Sequence, residues 1–167
     1  SGRKPYLERF IHSEVYRARP DVQSVVHNHS PAVIPFGVTN AKLRPISHMS
    51  GFLAGGVPNF EIRDAGGPAT DMLIRTPQLG VALAKSLGAH SIVLMRGHGS
   101  TVVGYSVRQA VYRAIYAAAN AGLQQNALIL GEPEFLAPEE AVKAAESNDK
   151  SLDRAWNLWA REATRGK

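Results

Sequence analysis

Cysteine is absent from this 167-residue chain, and so is any apolar run long enough to cross a membrane. Without cysteine, neither disulfides nor thiolate metal sites can form. A transmembrane helix needs about 20 consecutive apolar residues, so we do not expect the chain to enter a membrane. No leader in which basic residues precede an apolar stretch opens the sequence. We therefore expect a cytoplasmic protein.

A concentrated basic patch is also missing. The formal net charge is +5, but the lysines and arginines are scattered and form no basic run. Proteins that bind nucleic acid usually gather their basic residues on one face, so we expect no nucleic-acid partner. Arginines spread among glycines suit a small anionic ligand, and we expect a substrate of that kind.

The pattern of apolar residues predicts an α/β domain. The chain has the length of one domain, with 44% hydrophobic and 20% charged residues. Helical spacings and short buried runs alternate along it, which is typical of the α/β class. Thr76 and Ser106 are expected to cap helices. We predict helices over 7–18, 31–39, 76–88, 107–130, 139–147 and 151–163, and strands over 22–27, 42–47, 59–62, 91–95 and 100–103.

Three histidines form the most informative pattern. His27 and His29 end a predicted strand, where residues two apart share a face. His98 stands between two glycines after another buried strand, which leaves room beside its imidazole. Three histidines with an open fourth position are typical of a catalytic metal site. The alternative is a set of hydrogen-bonded histidines at strand ends.

Glu8 is the carboxylate of most interest. It lies on the helix that leads into the strand of His27. Taken alone, a glutamate in the first turn of a helix is more often a solvated residue that suits the helix dipole.

These segments together resemble the class II aldolase and adducin-head family. The first segment begins at Glu8 and continues through Arg19-Pro20-Asp21 to Val25-Val26-His27-Asn28-His29. The second is Arg96-Gly97-His98-Gly99, followed by Val102-Val103-Gly104. The resemblance covers about residues 5 to 130.

The resemblance implies a three-layer α/β/α sandwich with a mostly antiparallel central sheet. It implies His27, His29 and His98 as ligands of one divalent ion per chain, Mn²⁺ or Zn²⁺, and Glu8 as the acid/base group. It also implies a homo-oligomer, expected to be a tetramer, with active sites near subunit boundaries. We expect one catalytic domain over residues 1–167 that lacks the family's N-terminal segment, in which the sugar-phosphate aldolases hold the substrate phosphate.

Within the family, the opening residues 5–12 and the tail 151–167 look more like the branch that decarboxylates hydroxylated aromatic acids, of the 3-hydroxy-2-methylpyridine-4,5-dicarboxylate type. This favours a metal-dependent lyase that breaks a carbon–carbon bond by decarboxylation. One alternative is a sugar-phosphate aldolase or epimerase that acts on fuculose or ribulose phosphates. A second is a non-catalytic, adducin-like interaction module, which would not need three histidines and Glu8 together.

Candidate substrate contacts are harder to rank from the sequence. A dianionic aromatic acid needs cationic groups and apolar walls. The candidate polar contacts are His48, Arg44, Arg63, Arg75 and Arg96. The candidate walls are Phe36, Phe52, Leu53 and Phe60, although any one of them is more often a core residue.

Overall fold

The computed structural model of the chain describes residue 2 and residues 4–165. In chain order the elements are α1 (Arg9–Ala18), β1 (Ser24–Asn28), α2 (Ile34–Val38), a 3₁₀ helix (His48–Leu53), β2 (Asn59–Phe60), α3 (Arg63–Gly66), α4 (Pro77–Leu87), β3 (Ile92–Met95), β4 (Gly99–Gly104), α5 (Val107–Leu130), α6 (Pro138–Asp149) and α7 (Leu152–Thr164). No helix in this part of the chain is long and apolar enough to span a membrane.

The four strands form one mixed sheet in the order β1-β4-β3-β2. Strand β4 pairs antiparallel with both β1 and β3, whereas the short β2 runs parallel to β3. The predicted sheet, mostly antiparallel, is therefore confirmed, with one parallel pair at its edge. Strands β3 and β4 lie in the middle and are buried along their whole length. This burial explains the uninterrupted apolar sequence of β3, whereas β4 also buries Ser100 and Thr101.

Helices cover both faces of this sheet and make the three-layer sandwich. On one face, Ile11 and Val15 of α1 and Leu83 of α4 pack against Val93 and Val103 of the sheet. On the other face, residues of α2 and α5 form a second core with Leu94 and Val102. Alternate residues of the same strands thus serve the two cores, as the pleat of a strand requires.

Helices α4 and α5 each begin at a residue whose side chain caps the first turn. The Thr76 hydroxyl accepts a hydrogen bond from the Leu79 amide at 3.3 Å, and Pro77 begins α4. The Ser106 hydroxyl likewise accepts from the Gln109 amide at 3.2 Å and begins α5. Both predicted caps are confirmed, because each one satisfies an amide that the first turn of a helix leaves free.

The predicted strand over 42–47 is wrong. This segment has no regular secondary structure, and its backbone pairs with side chains of α5 and not with a strand. The side-chain amide of Asn120 accepts a hydrogen bond from the Ile46 amide and donates one to the Arg44 carbonyl. The side-chain amide of Gln124 accepts from the Arg44 amide and donates to the Lys42 carbonyl. Because Asn120 and Gln124 are one helical turn apart, their buried amides replace the hydrogen bonds of a neighbouring strand.

Two further expectations change with the structure. Only Asn59–Phe60 of the predicted strand 59–62 forms a strand, β2, and the short helix α3, which was not predicted, begins at Arg63. The four apolar residues proposed as site walls belong to the cores: Phe36, Leu53 and Phe60 are at most 4% exposed, and Phe52 packs against the second core. They fill the interior because each lies on the inward face of its element.

We predict that Gly80→Ala destabilises the packing of α4 on α1. A Cβ atom there would lie 2.5 Å from the carbonyl oxygen of Phe10, so the helices would have to move apart. Overpacking of this kind costs about 1–3 kcal/mol of unfolding free energy, measurable by urea denaturation. Gly122→Ala in α5 is the matched control, because its Cβ meets nothing within 4 Å. It should stabilise the protein by up to about 1 kcal/mol, and equal effects of the two changes would contradict the prediction.

Candidate metal centre

The pairing of β1 with β4 brings the three histidines together. His27 lies opposite Thr101 in this antiparallel ladder, so the end of β1 lies beside the turn that joins β3 to β4. His98 is in that turn, and His29 follows β1 directly. The approach requires Gly99, because a Cβ there would lie 2.0 Å from the carbonyl oxygen of Asn28.

The imidazoles converge through their Nε2 atoms. The Nε2 atom of His29 is 3.0 Å from that of His27 and 2.9 Å from that of His98. Glu8 faces the same point, with its Oε2 atom 3.6 Å from the Nε2 atoms of His27 and His98. One ligand atom from each of the four residues lies within 4.8 Å of all the others, so the group could hold a metal ion.

Hydrogen bonds from the Nδ1 atoms of two rings determine the protonation of their Nε2 atoms. The Nδ1 atom of His27 donates to the carbonyl oxygen of Ser100 at 3.0 Å, and that of His98 donates to the carbonyl oxygen of Met72 at 2.9 Å. A carbonyl only accepts, so each neutral ring carries its proton on Nδ1 and a lone pair on Nε2.

The donor set therefore suits a cation. A neutral His29 has at most one proton on Nε2, so it can satisfy the lone pair of His27 or that of His98, but not both. Burial lowers the pKa of His27 to about 4, with the charges of His98 and His29 acting in the same direction and that of Glu8 opposing them. His27 is consequently neutral at pH 7. Convergent imidazole nitrogens beside a carboxylate are the ligands that Zn²⁺ and Mn²⁺ accept.

Glu8 is a buried residue and not the solvated glutamate that its position in a first turn suggested. Its side chain is only 5% exposed. The Oε1 atom accepts a hydrogen bond from the Ile74 amide at 2.9 Å, which leaves Oε2 directed at the histidines. The carboxylate thus has one anchored oxygen and one oxygen in the site.

The predicted substrate contacts make other interactions. Arg63 and Arg96 both pair with Glu61, and Arg75 pairs with Asp71. The Arg44 guanidinium lies 4.0 Å from the centre of the Phe135 ring. His48 begins the 3₁₀ helix, and its carbonyl accepts from Asn148 at 2.7 Å. Within the described residues, none of the hydrogen bonds or ion pairs of these five side chains reaches the histidine cluster, and their role stays a prediction.

Three backbone groups that support the site were not predicted. They are the carbonyls of Met72 and Ser100 and the amide of Ile74. Every residue except proline carries these groups, so the sequence contains no signal for them. Only the positive φ angle of Met72, +69°, marks its backbone as unusual.

The family model for the class II aldolase and adducin N-terminal domain matches residues 1–125. The chain belongs to this family. The match includes α1, β1 and the β3–β4 turn, so all four residues of the cluster lie inside the family domain.

Relatives within the class II aldolase and adducin family include decarboxylases. The chain is 41% identical to the decarboxylase tropJ of Talaromyces stipitatus, over 96% of this chain and 68% of that protein. It is 36% identical to the 3,4-dihydroxyphthalate decarboxylase of Arthrobacter keyseri, over 68% of this chain and 44% of that protein. The chain thus spans about two thirds of one relative's length and less than half of the other's.

The fold is also that of a solved family structure. An L-fuculose 1-phosphate aldolase superposes with a TM-score of 0.72 at 21% identity, over 89% of this chain and 66% of that one. At this level of identity the likeness shows the fold alone.

We predict that the purified protein, freed of metal by a chelator, takes up about one Zn²⁺ or Mn²⁺ ion per chain, because convergent lone pairs are otherwise unsatisfied. Elemental analysis and a rise in the unfolding midpoint on ion addition would measure this. His29→Ala should weaken binding by more than the roughly 10–100-fold caused by losing an outer-shell partner.

His90→Ala is the control for this test, because His90 lies outside the cluster. It should take up the ion as the unchanged protein does. Uptake far below one ion per chain in the unchanged protein, or equal uptake by the His29 variant, would contradict the assignment.

Proposed function

We propose that this protein is a divalent-metal-dependent lyase that decarboxylates a hydroxylated aromatic acid, built on a pyridine or benzene ring. The observation that carries the proposal is the convergence of Glu8 Oε2 with the three histidine Nε2 atoms. Relatives named as decarboxylases, one of them for 3,4-dihydroxyphthalate, support this choice of reaction and substrate class.

His27, His29 and His98 are the proposed ligands of the ion, Mn²⁺ or Zn²⁺. When bound, such an ion supplies Lewis-acid chemistry, by which negative charge developing on neighbouring substrate oxygens is stabilised. The histidines are suited to this role because the Nδ1 bonds to Ser100 and Met72 fix the orientation of two of the rings. His29 is the exposed member of the set and lies on the solvent side, where a substrate would enter.

Glu8 is the proposed acid/base residue. In decarboxylation the bond between the ring carbon and the carboxyl carbon breaks, carbon dioxide leaves, and the electron pair stays on the ring carbon. Glu8 in its protonated form would deliver a proton from Oε2 to that carbon and regain one from water. The Ile74 amide holds Oε1, so the carboxyl group cannot turn away from the site while it does so.

The same residues would also serve aldol cleavage or epimerisation of a sugar phosphate, which is the second candidate function. The L-fuculose 1-phosphate aldolase fold supports this alternative. A non-catalytic adducin-like module is the third candidate, since the family includes adducins. The buried carboxylate and oriented imidazoles favour an enzyme over this module, because buried polar groups that only serve packing are normally paired with one another.

The remaining assignments belong to this proposal as well. The chain is proposed to act as one catalytic domain, in the cytoplasm, on a small anionic substrate. We propose a homo-oligomer, with a tetramer favoured and active sites near subunit boundaries. The apolar end of α5 supports association, because Leu128, Ile129 and Leu130 are 48%, 83% and 90% exposed.

We predict that Glu8→Gln retains metal and substrate binding but lowers turnover by about 10²-fold or more. Glutamine still accepts the hydrogen bond from Ile74, but it has no acidic proton to deliver. Release of carbon dioxide and metal content would be measured side by side.

Glu14→Gln is the matched control, since Glu14 is a buried glutamate of the same helix that bonds Ser13 and Arg17 outside the cluster. Its turnover should stay near that of the unchanged protein. If the Glu8 variant turns over equally well, Glu8 is not the acid.

A substrate panel separates the candidate functions. The metal-loaded protein should release carbon dioxide from hydroxybenzene or hydroxypyridine dicarboxylates and leave fuculose and ribulose phosphates unchanged. Brisk cleavage or epimerisation of a sugar phosphate with inert aromatic acids would favour the second candidate. Metal uptake with neither activity in the full-length protein would argue against both enzymes.

A further inference from the structure

The loop between α3 and α4, residues 67–76, touches the candidate metal centre at two points. The carbonyl oxygen of Met72 accepts from His98 Nδ1 at 2.9 Å. Two residues later, the amide of Ile74 donates to Glu8 Oε1, also at 2.9 Å. One short stretch of backbone therefore contacts both a proposed ligand and the proposed acid.

The backbone of Met72 is in a conformation that methionine seldom adopts. Its φ angle is +69°, and in the described part of the chain it is the one residue other than glycine with a positive φ. Such a residue persists only where its surroundings impose the conformation, and strain of this kind is concentrated at functional sites.

The surroundings of Met72 do impose it. The Thr70 hydroxyl accepts from the Met72 amide at 3.0 Å, and the Asp71 carboxylate accepts from the Leu73 amide at 3.1 Å. Asp71 is itself paired with Arg75, and Ile74 is fully buried in the first core. The loop is thus fastened before and after Met72.

The Met72 side chain makes a second contact with the turn of His98. A Cβ atom placed on Gly97 would lie 2.8 Å from Met72 Cε, so the methyl group lies directly against the backbone of Gly97. Gly97 has a φ of +64° and immediately precedes His98. Met72 therefore contacts this turn twice. Its carbonyl oxygen accepts a hydrogen bond from the His98 ring, and its side chain packs against the backbone of Gly97.

We propose that Met72 is a positioning residue whose left-handed backbone selects the Nδ1-protonated form of His98 and fixes the spacing between His98 and Glu8. This inference rests on the proposed function, because it concerns how a proposed metal ligand and the proposed acid are positioned. If the Met72 carbonyl were turned away, His98 could carry its proton on Nε2. A protonated Nε2 has no free lone pair and cannot bind an ion.

A substitution series at Met72 tests the inference. Valine is strongly disfavoured at positive φ because it is β-branched, whereas asparagine adopts this conformation readily. Met72→Val should weaken Zn²⁺ binding about 10–100-fold, the effect of losing an outer-shell partner, and Met72→Asn should bind within a few-fold of the unchanged protein. Leu73→Val is the control, since it introduces the same side chain at the next residue, where φ is not positive.

The protonation site of each imidazole in the metal-free protein gives a readout independent of ion binding. In a ¹⁵N-imidazole correlation spectrum, His98 should lose its Nδ1-protonated signature in Met72→Val and keep it in Met72→Asn. His27 is an internal control, because its Nδ1 proton goes to Ser100 and should not change. Met72→Ala, a milder change, should show a smaller loss if Met72→Val does not fold.

The two readouts separate the inference from the function on which it rests. If the unchanged protein binds Zn²⁺ and Met72→Val binds it equally well with His98 unaltered, the positioning role is overturned and the metal site stands. If the unchanged protein binds no ion, the proposed function fails, and the imidazole spectra alone decide the role of Met72.

Discussion

The antiparallel pairing of β1 with β4 is the contact on which the candidate site depends. It places the end of β1 against the turn between β3 and β4, so residues about 70 positions apart in the sequence meet. The pairing is close because Gly99 lacks a side chain where it passes Asn28. A shift of one residue in this register would move His27 to the opposite face of the sheet and away from His98.

Around this contact, the protein gathers four possible metal-ligand side chains, and two of them are buried. The His27 and Glu8 side chains are 4% and 5% exposed, and the pKa of His27 is well below its usual value because of burial. Burial of lone pairs without a partner is unfavourable, so the cluster is stable only with a proton or an ion among the three Nε2 atoms. This requirement supports our proposal that the cluster binds a cation.

The two helical layers serve the site in different ways. Helix α1 carries Glu8 at its start and is set close to α4 by Gly80. On the other face, α5 supplies buried amides that take the place of a strand along residues 42–46. The fold of this family supports aldolases and decarboxylases alike, and the chemistry of one member therefore depends on the groups around the cluster more than on the sheet itself.

The sequence by itself determined the class of fold, the capped helices α4 and α5, and the residues that meet at the site, because apolar spacing, caps and a paired histidine motif are local signals. Tertiary structure decided what no local signal encodes. Glu8 is buried where its carboxylate meets the Ile74 amide, the segment near Arg44 is paired by side-chain amides of a helix, and the phenylalanines pack in the cores. It also supplied the carbonyls of Met72 and Ser100 that orient the rings. Backbone groups are the same in every residue, so only the path of the folded chain determines which of them face the site.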